Sequence, residues 1–319
     1  MQTIFKKHLR GNMIVYKNIN LNKKFKNSVI AIGNFDGLHL GHQKVLQQAK
    51  KKAKNNKLKV GVVTFEPVPV MFFNKKVKNH RINNLDQKIE NLKKLKIDFL
   101  VIIKFDKKFS DMSSNSFIKK IIYERLNGKF IIISKNFRFG KNREGDIHQL
   151  KKNENKFLYK TIIASPLKKN NKILSSSIIR KKISNGNIQR VNHLLGREWC
   201  IEGKVIKGSQ RGRRIGFPTC NINLNDYIIP KLGVYSVNVE VNNLRKKGIA
   251  NIGYRPTFSG ISLILEVNIF GIKANLYNKK IKVSFIKFIR PEKKFKNIDQ
   301  LKVQIKKDII KCKKKNDKR

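Results

Sequence analysis

Two histidines stand three residues apart in the stretch GNFDGLHLGH, residues 33–42. The four residues before this stretch are apolar and predict a strand, and the residues after it carry apolar side chains at helical spacing. His39 and His42 therefore lie at the start of a predicted helix, where unpaired backbone N–H groups and the helix dipole favour phosphate binding. Imidazoles on the same side of that helix can donate hydrogen bonds to phosphate oxygens as charge develops during a reaction.

Two other interpretations of the histidine pair stay open on the residues alone. A metal site requires more ligands, and the chain's four other histidines are scattered along the sequence without forming an obvious ligand cluster. A purely structural role is the second alternative. The folded geometry has to separate these alternatives from phosphate binding.

A second stretch, GSQRGRRIGFPTCNINL (208–224), combines glycines with arginines. Its glycines let the backbone approach a ligand closely, and Arg213 and its neighbours supply positive charge. Thr219 and Asn221 are two residues apart, so in an extended segment their oxygens point the same way and suit a hard cation such as Mg²⁺ carried by a nucleotide. A basic surface loop is the alternative interpretation.

Glu266 is the only acid in the apolar stretch LILEVNIF (263–270). Partial burial of such a carboxyl group favours its use as a base near neutral pH. The alternative is an exposed carboxylate on a strand, paired with one of the chain's many lysines.

The first half of the chain alternates apolar runs with amphipathic stretches. This pattern predicts a doubly wound parallel sheet covered on both faces, with a site at the carboxyl ends of its strands. The predicted strands are 29–32, 60–65, 99–103 and 130–133, and the predicted helices are 45–53, 85–95 and 113–126.

After about residue 200 the pattern changes to short alternating stretches bounded by turn residues, which is typical of an antiparallel barrel or sandwich. The predicted strands are 200–207, 234–241, 263–270 and 281–288. A final helix is predicted over 298–312, and two short helices, 177–183 and 188–195, join the halves. We place the boundary between two domains near residue 186.

The formal net charge is +53, from 73 basic and 20 acidic residues. Such a charge suggests a nucleic-acid or anionic-surface binder, but a binding footprint is concentrated on one face or segment. Here lysines recur throughout the chain, which favours a general drift in composition.

Three widely spaced cysteines, Cys200, Cys220 and Cys312, favour a reducing compartment, and we expect a cytoplasmic protein. The chain has no run of 18 uncharged apolar residues, so no membrane span is expected. Residues 1–20 also lack the pattern of a secretory signal.

Several segments resemble one family and follow its order. FDGLHLGH (35–42) resembles the His-x-Gly-His signature of the nucleotidyltransferase superfamily. With the preceding residues it is similar to the adenylyltransferase half of the bacterial bifunctional riboflavin kinase/FMN adenylyltransferases, also called FAD synthetases. TFEPVPVMFF (64–73), FRFGKNREGD (137–146) and LSSSIIR (174–180) resemble later segments of that half. The resemblance implies transfer of an adenylyl group from ATP to FMN, with release of pyrophosphate.

On this resemblance, His39 and His42 are catalytic and contact the phosphates of ATP, while Asn136 and Phe137 place the flavin nucleotide. The other residues implied to bind ATP or its phosphates are Gly33, Phe35, Asp36, Gly41, Ser175, Ser176, Ser177 and Arg180. The serines also fit a helix N-cap.

The chain departs from the family's pattern in three places. Ser134 and Lys135 stand where the family usually has a glycine and an acidic residue. Val68 stands where histidine or glutamine is common, and Ser177 replaces a threonine but keeps its hydroxyl. The departures bear mainly on how the flavin is placed.

The second half resembles the kinase module of the same family. GRRIGFPTCN (212–221) resembles its signature, with Cys220 in place of alanine, and four more segments follow in order: 233–237, 248–258, 265–270 and 289–295. The resemblance implies that Thr219 and Asn221 bind the Mg–ATP complex. It also implies that Glu266 is the catalytic base for the 5′-hydroxyl of riboflavin. The other implied contacts are Gly208, Arg213, Gly216 and Pro218 for ATP, and Asn251 and Arg290 for the flavin.

We therefore expect an α/β protein with two domains. Residues 1–186 would form a doubly wound, nucleotidyltransferase-like domain, and 187–319 an antiparallel β-barrel with a terminal helix. Together they would convert riboflavin to FMN and FMN to FAD with ATP and Mg²⁺, without a specific nucleic acid or a membrane as partner. The alternatives are a remnant with riboflavin kinase activity alone and a basic nucleic-acid-binding protein. A class I aminoacyl-tRNA synthetase is disfavoured because the chain has no Lys-Met-Ser-Lys-Ser-like loop.

Overall fold

The chain of the computed structural model forms two units, and neither is continuous in sequence. The structure describes residues 13–169, 172–208, 210–242, 244–257, 260–272 and 274–313. The first unit contains the described residues up to Val77 together with Leu85–Leu174. The second contains Lys78–Asn84 and the described residues from Ser175 onward.

A six-stranded sheet lies at the centre of the first unit. Its strands are β1 (Ile14–Tyr16), β2 (Val29–Ile32), β3 (Val60–Glu66), β4 (Phe99–Lys104), β5 (Phe130–Ile133) and β6 (Lys160–Ile163). Across the sheet they lie in the order β1-β4-β3-β2-β5-β6, and every neighbouring pair is parallel. A short antiparallel hairpin of β7 (Lys168–Lys169) and β8 (Lys172–Ile173) follows. The predicted parallel sheet is confirmed.

Helices cover both faces of this sheet. They are α1 (Leu40–Asn55), α2 (Pro69–Phe73), α3 (Leu85–Lys94), α4 (Lys107–Ser110), α5 (Ser114–Ser116), a π-helix (Phe117–Leu126) that continues α5, and α6 (Ile147–Lys152). Strand β2 is buried on both of its faces. Ile30 and Ile32 are buried in one apolar cluster with residues of the π-helix, while Val29 and Ala31 are buried in another with residues of α1. Burial on both sides explains why the strands are continuous apolar runs.

The strand order reverses direction at β2. From β2 the chain moves outward through β3 and β4 on one side, and it then returns to pair β5 against the other side of β2. The carboxyl ends of β2 and β5 therefore flank the crevice in which doubly wound sheets bind ligands. GNFDGLHLGH (33–42) begins at the end of β2, and Ser134–Phe137 follows the end of β5.

The second unit contains an antiparallel sheet of six strands. They are β9 (Cys200–Lys204), β10 (Cys220–Asn223), β11 (Gly233–Val241), β12 (Leu244–Thr257), β13 (Gly260–Ile269) and β14 (Lys280–Arg290). Their order is β10-β13-β12-β11-β14-β9, and an antiparallel bridge between Ile206, just after β9, and Asn221 of β10 links the two edges. The predicted barrel is confirmed.

Four helices accompany the barrel in the described part of the second unit. They are α7 (Ser176–Ser184), α8 (Ile188–Leu195), α9 (Arg211–Arg214) and α10 (Ile298–Lys313). In α10, Ile309 and Cys312 pack with Val234 and Ile249 of the barrel. The helices predicted over 177–183 and 188–195 and the predicted terminal helix are confirmed, but the first two belong to the second unit and do not join the halves.

The segment Lys78–Asn84 is bound within the second unit although it lies early in the chain. The indole N–H of Trp199 donates to the carbonyl of Ile82 at 2.9 Å, and the backbone N–H of Ile228 donates to the carbonyl of Arg81 at 2.8 Å. Arg81 also forms an ion pair with Asp226. These contacts leave the second unit dependent on a segment that the sequence pattern did not distinguish.

Candidate functional sites

The turn after β2 has an unusual backbone. Phe35 (φ 46°) and Leu38 (φ 41°) are left-handed, as is Gly37 between them. A left-handed residue other than glycine is strained, and such strain persists only where the surrounding structure holds it. Phe35 is 4% exposed and Leu38 is 2% exposed, and both side chains belong to the apolar cluster under α1. Packing therefore holds this turn in one conformation.

The two histidines meet at the start of α1. His39 is the N-cap residue, and its Nδ1 accepts a hydrogen bond from the backbone N–H of His42 at 3.3 Å. The imidazole rings are stacked, with centroids 3.7 Å apart and planes 18° from parallel. His42 also contacts the Phe35 ring edge-on, with centroids 5.3 Å apart. The expectation that both imidazoles project to the same side is confirmed.

The cap defines the chemistry of His39. A neutral imidazole whose Nδ1 accepts a hydrogen bond carries its proton on Nε2, so that nitrogen is a donor. His39 is buried at 3% exposure, whereas His42 is partly exposed. Gly41 lies in the first turn of α1, where a Cβ would be 3.0 Å from the His39 ring. The arrangement suits an anion at the helix N-terminus.

Three more predicted residues lie in or beside this turn. Gly33 follows β2 directly, and its N–H donates to the carbonyl of Val63 in β3 at 3.0 Å. Asp36 begins the turn and is 3% exposed. Together with Phe35, these residues bring the backbone close to the N-terminus of α1, on the β2 side of the crevice.

Asn136 and Phe137 follow β5, on the other side of the crevice. Asn136 is exposed, and the Phe137 ring is partly buried and stacks on Phe139 with centroids 5.6 Å apart. The loop is closed by an ion pair of Arg138 with Asp146 at 3.1 Å. The predicted flavin residues therefore stand on a folded loop at the switch point of the sheet.

Ser175, Ser176, Ser177 and Arg180 belong to the second unit, at the start of α7. Ser175 is the N-cap, and its Oγ accepts from the N–H of Ile178 at 3.4 Å. Arg180 Nε donates to the carbonyl of His80 at 2.9 Å. The expected helix cap is confirmed, and the inserted segment Lys78–Asn84 contributes the carbonyl that holds this arginine.

Three polar side chains form a row across the barrel. Glu266 of β13 is directly opposite Asn221 of β10 on one side and Asn251 of β12 on the other. Directly opposed residues point to the same face of a sheet. The next row, Ile222, Leu265 and Ile252, is fully buried and faces the inside of the barrel. The polar row therefore faces outward.

Glu266 is paired with an arginine rather than a lysine. Its Oε2 accepts hydrogen bonds from Nε of Arg255 at 3.0 Å and from Nη2 at 2.9 Å. Arg255 Nη1 donates to Glu292 Oε1 at 3.1 Å, and Asn251 Nδ2 donates to the same oxygen at 3.2 Å. Burial acts to lower the pKa of Arg255, but its bonds to the two glutamates raise that pKa overall. A Cβ at Gly253 would overlap the carboxyl group of Glu292 and Nη1 of Arg255, so those side chains would have to shift to admit one.

Asn221 is one of the two residues predicted to bind a cation. Its Oδ1 is buried and accepts no hydrogen bond from the described residues. Gly208 lies so close that a Cβ would overlap with the Asn221 amide group. Thr219, just before β10, is exposed. The amide and hydroxyl oxygens are the ligand types that a hard cation prefers.

A cavity of about 360 Å³ lies beside the start of β10. Its polar lining consists of Gln210, Arg213, Thr219 and Asn275, and Pro218 and the rest of the lining are largely apolar. The apolar and aromatic lining consists of Val205, Cys220, Val267, Ile269, Ile272, Ala274, Leu276 and Tyr277. This combination suits a ligand that has a planar aromatic ring at one end and a negative charge at the other.

Burial raises the pKa of the Cys220 thiol. A thiol kept protonated is a poor nucleophile, which supports the expectation of a packing role for this residue. Gly216 is the left-handed residue of the turn after α9, and Arg213 lies within α9. Both are exposed beside the cavity.

Arg290 ends β14 and is engaged with α10. Its Nε and Nη2 donate to Asp308 Oδ2, each at 2.8 Å, and Nη1 donates to the carbonyl of Pro291 at 2.9 Å. Asp308 is 1% exposed. The predicted flavin residue thus anchors the terminal helix to the barrel.

The histidine turn at the switch point of a parallel sheet, which suits an anion, and the barrel with its polar row are features of a nucleotide-using protein with two candidate sites. Residues 21–178 match the family model described as FAD synthetase, and residues 195–316 match the one described as riboflavin kinase. The chain belongs to the bifunctional riboflavin kinase/FMN adenylyltransferase family.

Two relatives with that name show the extent of the similarity. The chain is 42% identical over 294 residues to the enzyme of Buchnera aphidicola subsp. Schizaphis graminum, which covers 91% of this chain and 94% of that protein. It is 35% identical over 285 residues to the enzyme of Escherichia coli strain K12, covering 88% and 90%.

One solved structure matches the whole fold. It is described as a macrolide-efflux protein from Streptococcus pneumoniae, with a TM-score of 0.83 and 30% identity, and the match covers 96% of this chain and all of that one. Within the part of this chain that the structure describes, no helix is both long enough and apolar enough to cross a membrane. The family assignment rests on the family models and on the named relatives above.

The cap at His39 yields a stability prediction. His39→Ala removes the acceptor at the N-terminus of α1 and is expected to lower the free energy of unfolding by about 1 kcal/mol, whereas His39→Asn keeps an acceptor and costs less. Urea unfolding followed by circular dichroism measures both. Equal losses in the two variants would contradict the capping role.

Proposed function

We propose that this chain carries out both reactions of its family, each at one of the two sites described above. The phosphorylation of riboflavin is assigned to the barrel, within residues 187–319, and the adenylylation of FMN to residues 1–186. The proposal rests on one observation: in each unit, polar side chains that the sequence assigned to a site lie next to one another. The stacked His39 and His42 support the first site, and the row of Asn221, Glu266 and Asn251 supports the second.

Adenylyl transfer needs no nucleophile from the protein. A phosphate oxygen of FMN attacks the α-phosphorus of ATP, a new P–O bond forms, and the bond to the bridging oxygen breaks to release pyrophosphate. The protein orients the reactants and stabilises the charge that develops. His39 and His42 donate to the phosphates, with Gly33, Phe35, Asp36 and Gly41 around them. Asn136 and Phe137 are proposed to hold the flavin.

Phosphorylation of riboflavin needs a base because a hydroxyl is a weak nucleophile. Glu266 is proposed to take the proton of the 5′-hydroxyl as its oxygen attacks the γ-phosphorus of ATP, with ADP leaving. The pairing with Arg255 orients the carboxylate along the outer face of the barrel. Asn251 and Arg290 are proposed to contact the flavin. Gly208, Arg213, Gly216 and Pro218 are proposed to contact ATP at the cavity.

Thr219 and Asn221 are of the ligand types that fit Mg²⁺. Asn221 Oδ1 is buried without a hydrogen-bond donor from the described residues, and Thr219 supplies a hydroxyl from the same extended segment. Both would hold the ion together with phosphate oxygens. When bound, Mg²⁺ neutralises charge on the transferred phosphoryl group.

The cysteines and the net charge of the chain support an enzyme that acts on small molecules in the cytoplasm. Burial raises the pKa of the Cys200 thiol to about 12 and that of the Cys312 thiol to about 11, which fits cysteines that stay reduced and unreactive. The net charge of +53 favours phosphorylated ligands at both sites. A remnant with kinase activity alone is disfavoured by the preserved geometry at His39 and His42.

Two substitutions should separate the reactions. His42→Ala is expected to lower FAD formation from FMN by about 100-fold or more, because a donor to the phosphates is lost, while FMN formation continues. Glu266→Gln is expected to lower FMN formation by about 100-fold or more, because the base is lost, while FAD formation from added FMN continues. Chromatography of the flavins measures both rates.

The matched control for Glu266 is Glu202→Gln, which removes another strand carboxylate, here paired with Lys280 at 3.3 Å. This variant should keep both activities. Loss of both activities in either test variant, with the protein folded, would contradict the assignment of the reactions to separate sites.

The proposed cation ligand gives a prediction about Mg²⁺. Asn221→Ala should raise the Mg²⁺ concentration for half-maximal kinase activity by about tenfold or more, since loss of an outer-shell partner alone has an effect of that size. Asn223→Ala, which removes an exposed amide from the same strand, is the control. An unchanged Mg²⁺ requirement in Asn221→Ala would remove this residue from the cation site.

A further inference from the structure

Lys88 is a lysine buried where lysines are rarely found. It lies in α3, its side chain is 2% exposed, and it is among the largest fully buried side chains of the described chain. Lysine side chains are almost never fully buried unless they are paired, because removing the ammonium group from water costs free energy. A buried lysine in a chain that places most of its lysines on the surface therefore calls for a specific reason.

The ammonium group joins two segments of the first unit. Lys88 Nζ donates to the carbonyl of Asn34 at 2.9 Å and to Thr64 Oγ1 at 3.2 Å. Thr64 Oγ1 in turn donates to the same Asn34 carbonyl at 3.1 Å. Thr64 is fully buried in β3. The three groups form a closed triangle of hydrogen bonds, of the kind that fixes buried polar atoms in one arrangement.

The triangle ends on the residue that precedes the strained turn. Asn34 stands between Gly33, whose N–H is bound to Val63, and the left-handed Phe35. Helix α3 also contacts the turn Asp36–Leu38 directly. The direction of the Asn34 carbonyl therefore sets the path by which the backbone leaves β2 and reaches the cap at His39.

We infer that Lys88 is a positioning residue for adenylyl transfer, acting through the Asn34 carbonyl on the turn that carries His39 and His42. This inference rests on the function proposed for the first unit. Lys88 touches neither reactant in this account. It holds the hydrogen-bond donors of the site in position relative to the phosphates. Small displacements of such groups lower the reaction rate substantially.

Lys88→Met tests the inference because methionine has a similar length but no donor. Replacing a buried charge with an apolar side chain of similar volume is often neutral or stabilising, so a purely structural lysine would be replaced without loss of activity. We expect kcat for FAD formation to fall about 10- to 100-fold, as for a misplaced catalytic group. The KM values for ATP and FMN should change by less than about threefold. Riboflavin kinase activity of the same preparation should stay unchanged, which shows that the second unit is folded, and the unchanged KM values show the same for the first.

Thr64 provides a second test that does not require the Lys88→Met variant to fold. Thr64→Val removes the hydroxyl and keeps the shape, and Thr64→Ser keeps the hydroxyl. The valine variant should lower kcat for FAD formation while the serine variant retains most of it. A normal kcat in Lys88→Met, or equal rates in the two Thr64 variants, would overturn the inference while leaving the proposed function in place. Absence of FAD formation by the unsubstituted chain would overturn both.

Discussion

The first site depends on one constraint, the packing that holds the left-handed residues Phe35 and Leu38 in the turn after β2. Each such residue costs about 1–3 kcal/mol in backbone strain. Full burial of a phenylalanine or leucine side chain stabilises by about 1.5–3 kcal/mol, so the two contributions are comparable and the burial of both side chains offsets the strain. The strained path delivers His39 to the N-cap of α1 and stacks His42 beside it, at the crevice between β2 and β5. In the proposed function, the helix N-terminus and the imidazoles act on the same anion.

The two sites differ because their nucleophiles differ. The phosphate of FMN is already an anion, so the role proposed for the first site is to donate hydrogen bonds. The hydroxyl of riboflavin must lose a proton, and the base proposed for the second site is the carboxylate of Glu266, which is held by Arg255 in a row with Asn221 and Asn251. The barrel supplies this row through the register of three antiparallel strands, in which every second residue faces outward. One chain thus treats ATP in two ways, with transfer from the α-phosphorus in one unit and from the γ-phosphorus in the other.

Much of this architecture could be predicted from periodicity, and the failures have physical causes. The predicted ranges 29–32 and 130–133 match β2 and β5 because those strands are buried on both faces and contain only apolar residues. Strand β12 was missed because its first half is polar and interrupted by Gly248, and only its pairing with β11 and β13 makes it a strand. The insertion of Lys78–Asn84 into the second unit depends on hydrogen bonds over more than a hundred residues of sequence, which local patterns do not report. Lys88 did leave a signal, since it occupies a buried position in the apolar stripe of Leu85, Ile89 and Leu92. The ion pair of Arg290 with Asp308 left none.

The most direct test of the account follows the flavins over time after purified protein is mixed with riboflavin, ATP and Mg²⁺. If one chain holds both sites, FMN accumulates first and FAD appears as FMN is consumed, with pyrophosphate released in step with FAD. Accumulation of FMN alone would contradict the role assigned to His39 and His42. A folded protein that converts neither flavin would contradict the account as a whole.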